Sequence, residues 1–194
     1  MRTLITGGTR GIGAAIARRL AADGHDLVLG YARDDRAAER TAAACHELGV
    51  ACTTVRADLT TDDGIEALFD AVPGELTGVA NNAGATLHIA PLADTPPDVV
   101  RATVDLNLTA ALLVARAAVR AMGRSRGGPG GVLVNISSGA ATLGSPGEYV
   151  QYAAAKAGVD ALTVGLAQEV ASDGVRVVGV APGIIETTIH ADAG

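Results

Sequence analysis

Aromatic side chains are scarce in this sequence, whose 194 residues include no Trp, one Phe and three Tyr. Hydrophobic residues nevertheless make up 48% of the chain, so Ala, Val, Leu and Ile must build the core. This composition suits helices packed closely on a buried parallel sheet, whose strands are short aliphatic runs. The length is ample for one domain with its own hydrophobic core.

Cysteine and histidine are too few and too scattered to indicate a metal site. Cys45 and Cys52 lack the repeated spacing of a disulfide framework or a metal-binding motif, so we expect two buried thiols. None of the four His residues falls in a metal-ligand pair. We therefore expect chemistry that needs no metal ion.

A leader sequence and long apolar runs are also missing. Gly and Arg interrupt the longest apolar stretches, which we expect to be shorter than the roughly 20 residues that span a bilayer. No cationic segment followed by an apolar one precedes the first strand-like run, so we expect no secretion signal, no membrane partner and a cytoplasmic location. The net charge of −6 argues against nucleic acid, because phosphate binding needs a basic face.

Lysine is almost absent, since fourteen of the fifteen basic residues are Arg and only Lys156 is Lys. Arg is used wherever a positive charge alone is sufficient. A single Lys in such a chain therefore calls for a chemical explanation, because an ammonium and a guanidinium differ in size, hydration and pKa.

Aliphatic runs alternate with amphipathic stretches along nearly the whole chain. Strands are predicted at residues 2–6, 26–31, 51–56, 76–80, 132–136 and 175–180. Helices are predicted at residues 12–23, 34–48, 60–71, 97–122 and 150–172. Repeated right-handed βαβ crossovers predict an α/β fold, a Rossmann-type doubly wound parallel sheet in a single domain over residues 1–194.

A glycine-rich loop, T-G-G-T-R-G-I-G at residues 6–13, joins the first strand to the first helix. Glycines let the backbone approach a pyrophosphate, and the N-terminus of the following helix attracts the anion. Such a loop can also serve only to pack a helix on a strand. The strand before it and the helix after it favour dinucleotide binding.

The spacing T-G-x-x-x-G-x-G and four further motifs, in order, resemble the short-chain dehydrogenase/reductase family. These motifs are N-N-A-G at residues 81–84, N-I-S-S at residues 135–138, Y-x-x-x-K at residues 152–156 and Pro-Gly at residues 182–183. Together they cover essentially the whole chain. The resemblance implies an oxidoreductase that moves a hydride between a nicotinamide cofactor and a small-molecule carbonyl or alcohol.

Tyr152 and Lys156 are the expected centre of this chemistry. A Tyr hydroxyl can donate the proton, but its ordinary pKa of about 10 is too high for efficient exchange at neutral pH. A nearby ammonium lowers that pKa, and two residues four apart on a helix share one face. The ammonium can also donate to the nicotinamide ribose, which explains the single Lys.

The resemblance implies two further catalytic residues. Ser138 would donate a hydrogen bond to the substrate oxygen, although the sequence alone does not exclude Ser137. Asn107 would kink the long helix and hold a water of a proton relay, and a solvent-facing Asn is the alternative. Tyr149, seven residues before Lys156, is expected to precede the helix and line the substrate entrance.

NADP(H) is the expected cofactor. Tyr31 stands where NAD-type relatives carry an acid, while Arg33 and Arg10 can hold a 2′-phosphate. The acids Asp34 and Asp35 count against this unless they begin a helix, where the helix dipole favours them. Asp58 is expected to contact adenine, to cap the next helix, or both. The resemblance implies further cofactor contacts at Gly7, Thr9, Gly11, Ile12, Gly13, Leu59, Asn81, Ala83, Gly84, Pro182, Gly183, Ile185 and Thr187.

The sequence indicates the substrate less clearly than the cofactor. Residues 144–150 and 188–191 resemble sugar- or alcohol-oxidising, glucose-dehydrogenase-like members of the family. The 3-oxoacyl-carrier-protein reductases are the alternative, and a catalytically silent NADP-binding regulator is disfavoured because Ser138, Tyr152 and Lys156 are intact.

Association and chain length are two last expectations. The long helices at 97–122 and 150–172 correspond to those that pair in family tetramers, so a homodimer or homotetramer is expected. Small residues would permit close helix approach, namely Ala110, Ala111, Ala117, Ala118, Ala161 and Ala167. Family members continue past the Pro-Gly loop with a substrate-covering segment and a seventh strand, so these residues are expected to belong to a longer polypeptide.

Overall fold

Six parallel strands form the centre of the structure, a computed structural model that describes residues 1–185. They are β1 (Arg2–Ile5), β2 (Asp26–Tyr31), β3 (Cys52–Arg56), β4 (Gly78–Asn81), β5 (Gly131–Ile136) and β6 (Val175–Val180). The strand order is β3-β2-β1-β4-β5-β6. It reverses direction between β1 and β4, and in such sheets ligands bind beyond the carboxyl ends of the strands at that point. All six predicted strands are confirmed.

Helices connect the strands as the βαβ pattern predicts. They are α1 (Gly11–Ala22), α2 (Asp35–Glu47), α3 (Asp62–Asp70), α4 (Pro97–Val104), α5 (Ala110–Met122), α6 (Ala140–Leu143) and α7 (Val150–Glu169). A π-helical turn, Asp105–Thr109, joins α4 to α5 within the long predicted helix. The short helix α6 was not predicted, and α7 ends three residues before the expected 172.

Local capping explains where α2 and α3 begin. The Asp34 carboxylate accepts a hydrogen bond from the Ala37 N–H at 2.9 Å, and the Thr61 hydroxyl accepts one from the Gly64 N–H at 3.1 Å. Asp35 lies in the first turn of α2. Asp34 therefore caps the N-terminus of α2, and the charge of Asp35 complements the helix dipole. The prediction of NADP(H) depended on these roles for the two acids.

The two larger hydrophobic clusters pack on opposite faces of the sheet. Leu4 faces the first cluster, beneath α3 and α5, and the next residue, Ile5, faces the second, beneath α1 and α2. Cys45 and Cys52 belong to the second cluster as free, buried thiols, as expected. Val178 and Val180 of β6 remain exposed, and in sheets of this topology ligands bind beyond the carboxyl ends of the strands.

The helical region Pro97–Met122 corrects one expectation from the sequence. It is long and apolar enough, by length and composition alone, to cross a membrane, with a window of mean hydropathy 1.4. In this fold Val114, Ala118 and Met122 from its second half are fully buried against the sheet. Its hydropathy therefore reflects the role of a core helix, which passes the same test.

The same packing corrects the list of alanines expected at an interface between subunits. Ala110, Ala111 and Ala118 are buried in the protein's own fold and cannot meet a second chain. Ala117 and Ala167 are partly buried against the core, whereas Ala161 is exposed.

Candidate active site

The glycine-rich loop after β1 is fastened to the end of β4. The Thr6 hydroxyl accepts hydrogen bonds from the N–H groups of Asn82 at 2.8 Å and Ala83 at 3.0 Å. In return the Asn82 amide donates to the carbonyls of Thr6 at 2.9 Å and Gly7 at 3.2 Å. The first residue of the loop and the N-N-A-G motif therefore form one rigid unit at the switch point of the sheet.

Residues 7–13 form a cradle suited to a pyrophosphate. A Cβ at Gly13 would stand 2.0 Å from the Gly7 carbonyl oxygen, so only glycine permits this approach of helix and loop. Arg10 is the N-cap of α1, yet no side chain caps that helix, and its first turn contains no acid. The open N–H groups and the helix dipole suit an anion, which fits the phosphates of a dinucleotide.

The far end of the cradle carries the residues expected to select the cofactor. Tyr31, the last residue of β2, donates its hydroxyl proton to the Asp35 carboxylate at 2.9 Å, and this bond raises the pKa of Tyr31. Arg10 and Arg33 are both exposed. Asp34 and Asp35 have partners at the start of α2. Arg33 follows β2 by two residues, and Arg10 stands at the start of α1.

Asp58 does not cap α3, and that alternative is wrong. Its carboxylate accepts from the Thr60 hydroxyl at 2.7 Å and the Thr60 N–H at 3.0 Å, while Thr61 caps the helix. These bonds hold the pKa of Asp58 below its ordinary value, and the charge of Arg33 lowers it further. The contact with adenine stays a prediction.

Tyr152 and Lys156 lie together on α7, as the spacing predicts. Both side chains are buried, and the Lys156 Nζ lies 5.8 Å from the centre of the Tyr152 ring. The ammonium donates to the Ile136 carbonyl at 2.8 Å, at the end of β5. Burial lowers the pKa of Lys156 to about 8, against a smaller opposite effect of Asp160.

The surroundings of Tyr152 have opposite effects on the pKa of its hydroxyl. Burial raises the pKa of Tyr152, and a hydrogen bond with the Ser138 hydroxyl lowers it. Lys156 is engaged with Ile136, so the lowering of this pKa by the ammonium stays a prediction. Tyr149 precedes α7 as expected, with its ring edge-on to that of Tyr152 at 5.6 Å between centres.

Of the two serines after β5, the geometry favours Ser138. Its Oγ interacts with the Tyr152 hydroxyl and accepts from the Ala140 N–H at 3.2 Å. Ser137 instead donates to the Lys156 carbonyl at 3.2 Å and is buried. Ser137 therefore fastens α7 to β5, and Ser138 is left beside the predicted proton donor.

Asn107 lies inside the π-helical turn and is fully buried, so the solvent-facing alternative is wrong. Its amide donates to the carbonyls of Ala85 at 2.8 Å and Thr103 at 2.9 Å, and its Oδ1 accepts from the Ala85 N–H at 3.1 Å. The interrupted helix matches the predicted kink, because π-turns occur where a helix deforms around a functional residue.

Several predicted cofactor residues use their side chains inside the fold. The Asn81 amide nitrogen donates to the Ala111 carbonyl at 2.9 Å and to Oδ1 of Asn135 at 3.0 Å, so both of its protons are used inside the fold. Leu59 is buried in the core. The buried Thr9 offers no exposed side chain, and its carbonyl accepts the Thr41 hydroxyl at 3.0 Å.

The remaining predicted residues line the other strand ends. Gly84 contacts Asn107 and Lys156, and Gly11 and Ile12 begin α1. The Pro182 carbonyl accepts from the Gly139 N–H at 2.8 Å, which holds residues 182–185 beside the loop after β5. Gly183 and Ile185 are exposed there, and Thr187 and residues 188–191 lie outside the described residues.

Sequence reasoning missed two features of this site. The short helix α6 places Ala140 against Tyr152 in a small apolar cluster. Gln151, immediately before Tyr152, is buried, donates weakly to the His88 carbonyl at 3.4 Å, and leaves its Oε1 without a partner. The sequence offered one signal for Gln151, because it is a polar residue at a position of the helix that faces the core.

A groove of about 990 Å³ elsewhere contains none of these residues. It runs between α3 and α5, with carboxylates on one wall and Arg116 and Arg120 on the other. Within residues 1–185 no group of three or more His, Cys, Asp or Glu side chains is placed to hold a metal ion.

Comparison with known proteins gives consistent results over the whole chain. The sequence profile of the family described as short chain dehydrogenase matches residues 2–194. An uncharacterised oxidoreductase, YgfF, of Escherichia coli K12 is 38% identical over 98% of this chain and 78% of its own. A 3-oxoacyl-[acyl-carrier-protein] reductase of Synechocystis is 37% identical over 95% of this chain and 74% of its own. A short chain dehydrogenase of Burkholderia cenocepacia, solved in complex with NADP, superimposes with a TM-score of 0.90 at 35% identity, over 99% of this chain and 80% of that one.

Proposed function

Because the chain belongs to the short-chain dehydrogenase/reductase family of oxidoreductases, we propose that it transfers a hydride between NADP(H) and a ketone or secondary alcohol. The observation that carries this proposal is the meeting of Ser138, Tyr152 and Lys156 beyond the carboxyl end of β5. A silent dinucleotide-binding relative has no chemical need for that trio. NADP(H) supplies the hydride when bound.

The protein's own residues supply the proton and hold the oxygen. Tyr152 is the general acid in reduction and the general base in oxidation, and the neighbouring Ser138 hydroxyl lowers its pKa. Ser138 donates to the substrate oxygen as negative charge develops on it. Lys156 supplies positive charge beside the Tyr152 ring. Its ammonium, which donates to the Ile136 carbonyl here, would donate to the nicotinamide ribose when the cofactor is bound.

Three observations support NADP(H) over NAD(H). Tyr31 occupies the end of β2, where an acid would bind the ribose hydroxyls of NAD(H). Asp34 and Asp35 are taken up by the start of α2 and by the Tyr31 hydroxyl. Arg10 and Arg33 are exposed cations able to contact a 2′-phosphate.

The substrate range proposed from the sequence is a small alcohol or a sugar, and 3-oxoacyl thioesters are the second candidate. That second candidate is favoured by the identity with the Synechocystis reductase. Steady-state reduction of acetoacetyl thioesters and of simple ketones under the same conditions distinguishes the two, because a dedicated thioester reductase prefers the thioester by a large factor in kcat/KM.

We further propose a cytoplasmic homodimer or homotetramer. The outward side of α7 presents Ala154, Ala157 and Ala161, small exposed residues that let a second helix approach closely. Sedimentation at micromolar concentration tests the association, and a monomer there would refute it.

The decisive experiment on the chemistry is Tyr152→Phe with Tyr149→Phe as its matched control. Both changes remove one hydroxyl from neighbouring rings, but only the first removes the proton donor. Tyr152→Phe should lower kcat by at least about 100-fold while NADPH titration by fluorescence is unchanged. Near-normal kcat in that variant, with loss in Tyr149→Phe, would transfer the role to Tyr149.

A further inference from the structure

Exposed apolar side chains are concentrated around the proposed site. Of the twelve large hydrophobic side chains exposed among the described residues, five lie in three short segments, 85–91, 139–149 and 181–185. We name these five the apolar rim: Leu87, Ile89, Leu143, Ile184 and Ile185. Leu143 is 79% exposed and Ile184 is 99% exposed, so water contacts nearly all of both side chains.

Hydrogen bonds bring the first segment to the start of α7, directly before Tyr152. The Ala90 N–H donates to the Glu148 carbonyl at 2.7 Å, and the Gln151 amide contacts the His88 carbonyl. Leu87 and Ile89 therefore lie on a loop that is held against the turn carrying the proposed proton donor.

The other two segments are fastened to the proposed site from β5. Ala140, in the same helix as Leu143, packs in one apolar cluster with Tyr152. The Gly139 N–H donates to the Pro182 carbonyl at 2.8 Å, which places Ile184 and Ile185 on a segment held next to Ser138. The apolar rim thus belongs to three loops that converge on Ser138 and Tyr152.

The backbone is strained in two of these segments. Leu87 has φ of 55° and Ser145 has φ of 45°, and they are the only non-glycine residues with positive φ in the described part of the chain. A branched side chain such as Leu is disfavoured in this left-handed region. Strain of this kind is retained mainly where a site imposes the geometry, and here it accompanies an exposed apolar side chain.

Polar side chains able to bind a sugar are few in the same segments. Thr86 and Ser145 are buried, His88 and Tyr149 are partly buried, and only Thr142 and Glu148 are exposed. A polyhydroxylated substrate loses a hydrogen bond to water for each hydroxyl that the site does not satisfy, and each loss weakens binding. An apolar substrate instead gains from covering the exposed Leu and Ile side chains.

We propose that the substrate is an apolar ketone, or the corresponding secondary alcohol, whose hydrocarbon body covers the apolar rim while its oxygen faces Ser138 and Tyr152. This inference rests on the proposed function and replaces the sugar among its candidate substrates. Burial of the substrate's hydrocarbon surface then drives binding, and substrates with hydroxyl groups next to the carbonyl bind less well.

A series of ring ketones tests this with NADPH as the reductant. Cyclohexanone, 4-methylcyclohexanone and 4-tert-butylcyclohexanone share one carbonyl and differ only in hydrocarbon. We expect kcat/KM to rise by about twofold to fourfold per added carbon, the range for partly to fully buried CH₂ groups. The ketopentose xylulose should be at least about 100-fold worse than 4-tert-butylcyclohexanone.

A variant of the rim makes the test specific to these residues. Leu143→Asn should lower the ratio of kcat/KM for 4-tert-butylcyclohexanone to that for cyclohexanone by at least about threefold. Leu48→Asn is the matched control, because Leu48 is also an exposed Leu but follows α2 at the opposite end of the sheet. It should leave the ratio unchanged.

The outcomes separate this inference from the proposed function. A flat series, or a higher kcat/KM for xylulose than for any ring ketone, would overturn the apolar substrate and leave the oxidoreductase intact. Failure to reduce any carbonyl with NADPH or NADH, although the cofactor binds in a titration, would overturn both. A rising series that Leu143→Asn flattens supports the proposal.

Discussion

Gly84 and Asn107 approach so closely that no other residue fits at position 84 without a shift. A Cβ added at Gly84 would stand 2.6 Å from Oδ1 of Asn107 and 3.3 Å from Nζ of Lys156. The Asn107 amide cannot retreat freely, because it is buried and bonded to Ala85 and Thr103. The glycine of the N-N-A-G motif therefore positions two predicted catalytic residues at once.

Gly84→Ala should lower kcat/KM by at least about tenfold while the protein stays folded, because it displaces Asn107 and the Lys156 ammonium together. Gly165→Ala is the matched control, since nothing lies within 4 Å of its added methyl group in the last third of α7. That control should stabilise the protein by up to about 1 kcal/mol and keep full activity. Equal activity of the two variants, measured beside their urea midpoints, would contradict the positioning role of Gly84.

Lys156 gives the fold a distinctive dependence on pH. Its pKa is lowered from an ordinary 10.5 to about 8, so the folded protein releases this proton before the unfolded chain does. The sign follows from linkage: below pH 8 the buried charge destabilises the fold by a constant amount, and stability is regained as pH rises from 8 to 10.5. The shift corresponds to about 3 kcal/mol at most.

Lys156→Met should be inactive and should lack this regain of stability. Urea unfolding of both proteins from pH 7 to 10.5 provides the measurement, and the difference between them cancels the other groups that titrate in that range. At pH 7 we expect Lys156→Met to have the larger free energy of unfolding, although the lost hydrogen bond to Ile136 reduces the difference. The difference should shrink steadily above pH 8. A difference independent of pH would show that burial does not lower the pKa of Lys156 in the folded protein.

The fold could be predicted from the sequence because its signals are local. Most strands are aliphatic runs bounded by turn residues, and Asp34 and Thr61 mark helix starts by their own capping chemistry. The start of β4 was placed two residues early because Leu76 continues the apolar run. The Thr77 backbone still bonds to Arg2 and Val132, and its hydroxyl bonds to the backbone of Arg2 as well. Helix α6 has four residues, too few for a periodic pattern to show.

The site was predictable in its residue types but not in its contacts. The Y-x-x-x-K spacing places Tyr152 and Lys156 on one helical face from local geometry alone. The bond from Lys156 to Ile136 depends on the packing of α7 on β5, twenty residues apart, and no sequence pattern encodes it. The use of the Asn81 side chain as a brace between β4 and β5 was hidden for the same reason.

Cofactor preference should depend on Arg10 and Arg33 together. Charge-assisted contacts with a phosphate contribute about 1.5–3 kcal/mol each when well formed, so Arg10→Ala/Arg33→Ala should weaken NADPH at least about tenfold and leave NADH nearly unchanged. Arg19→Ala is the matched control, an exposed guanidinium on α1 that pairs with Asp23 at 3.1 Å. Titration of each protein with both cofactors gives the result. Equal weakening of NADPH and NADH would mean that these arginines do not read the 2′-phosphate.

The two thiols should be inert in the folded protein. Cys45 and Cys52 are buried, and burial raises the pKa of Cys52 to about 12 and that of Cys45 above its ordinary value. The thiolate is the reactive form, and a thiol with this pKa is ionised to only about one part in 10⁴ at pH 8. Reaction with Ellman's reagent should therefore be at least about 1,000-fold slower than for an exposed thiol, and denaturation should release two reactive groups.

An introduced exposed cysteine calibrates that measurement. Ser172→Cys adds a thiol at an exposed position just after α7 and should react at the ordinary rate while the two native thiols stay silent.

Because the folded-state pKa values are raised, these thiols also favour the fold less as pH rises from about 9 toward 12, the opposite sign to Lys156. Labelling of two native thiols within minutes at pH 8, in protein that keeps its circular dichroism, would show that α2 opens from β3 far more readily than its packing implies.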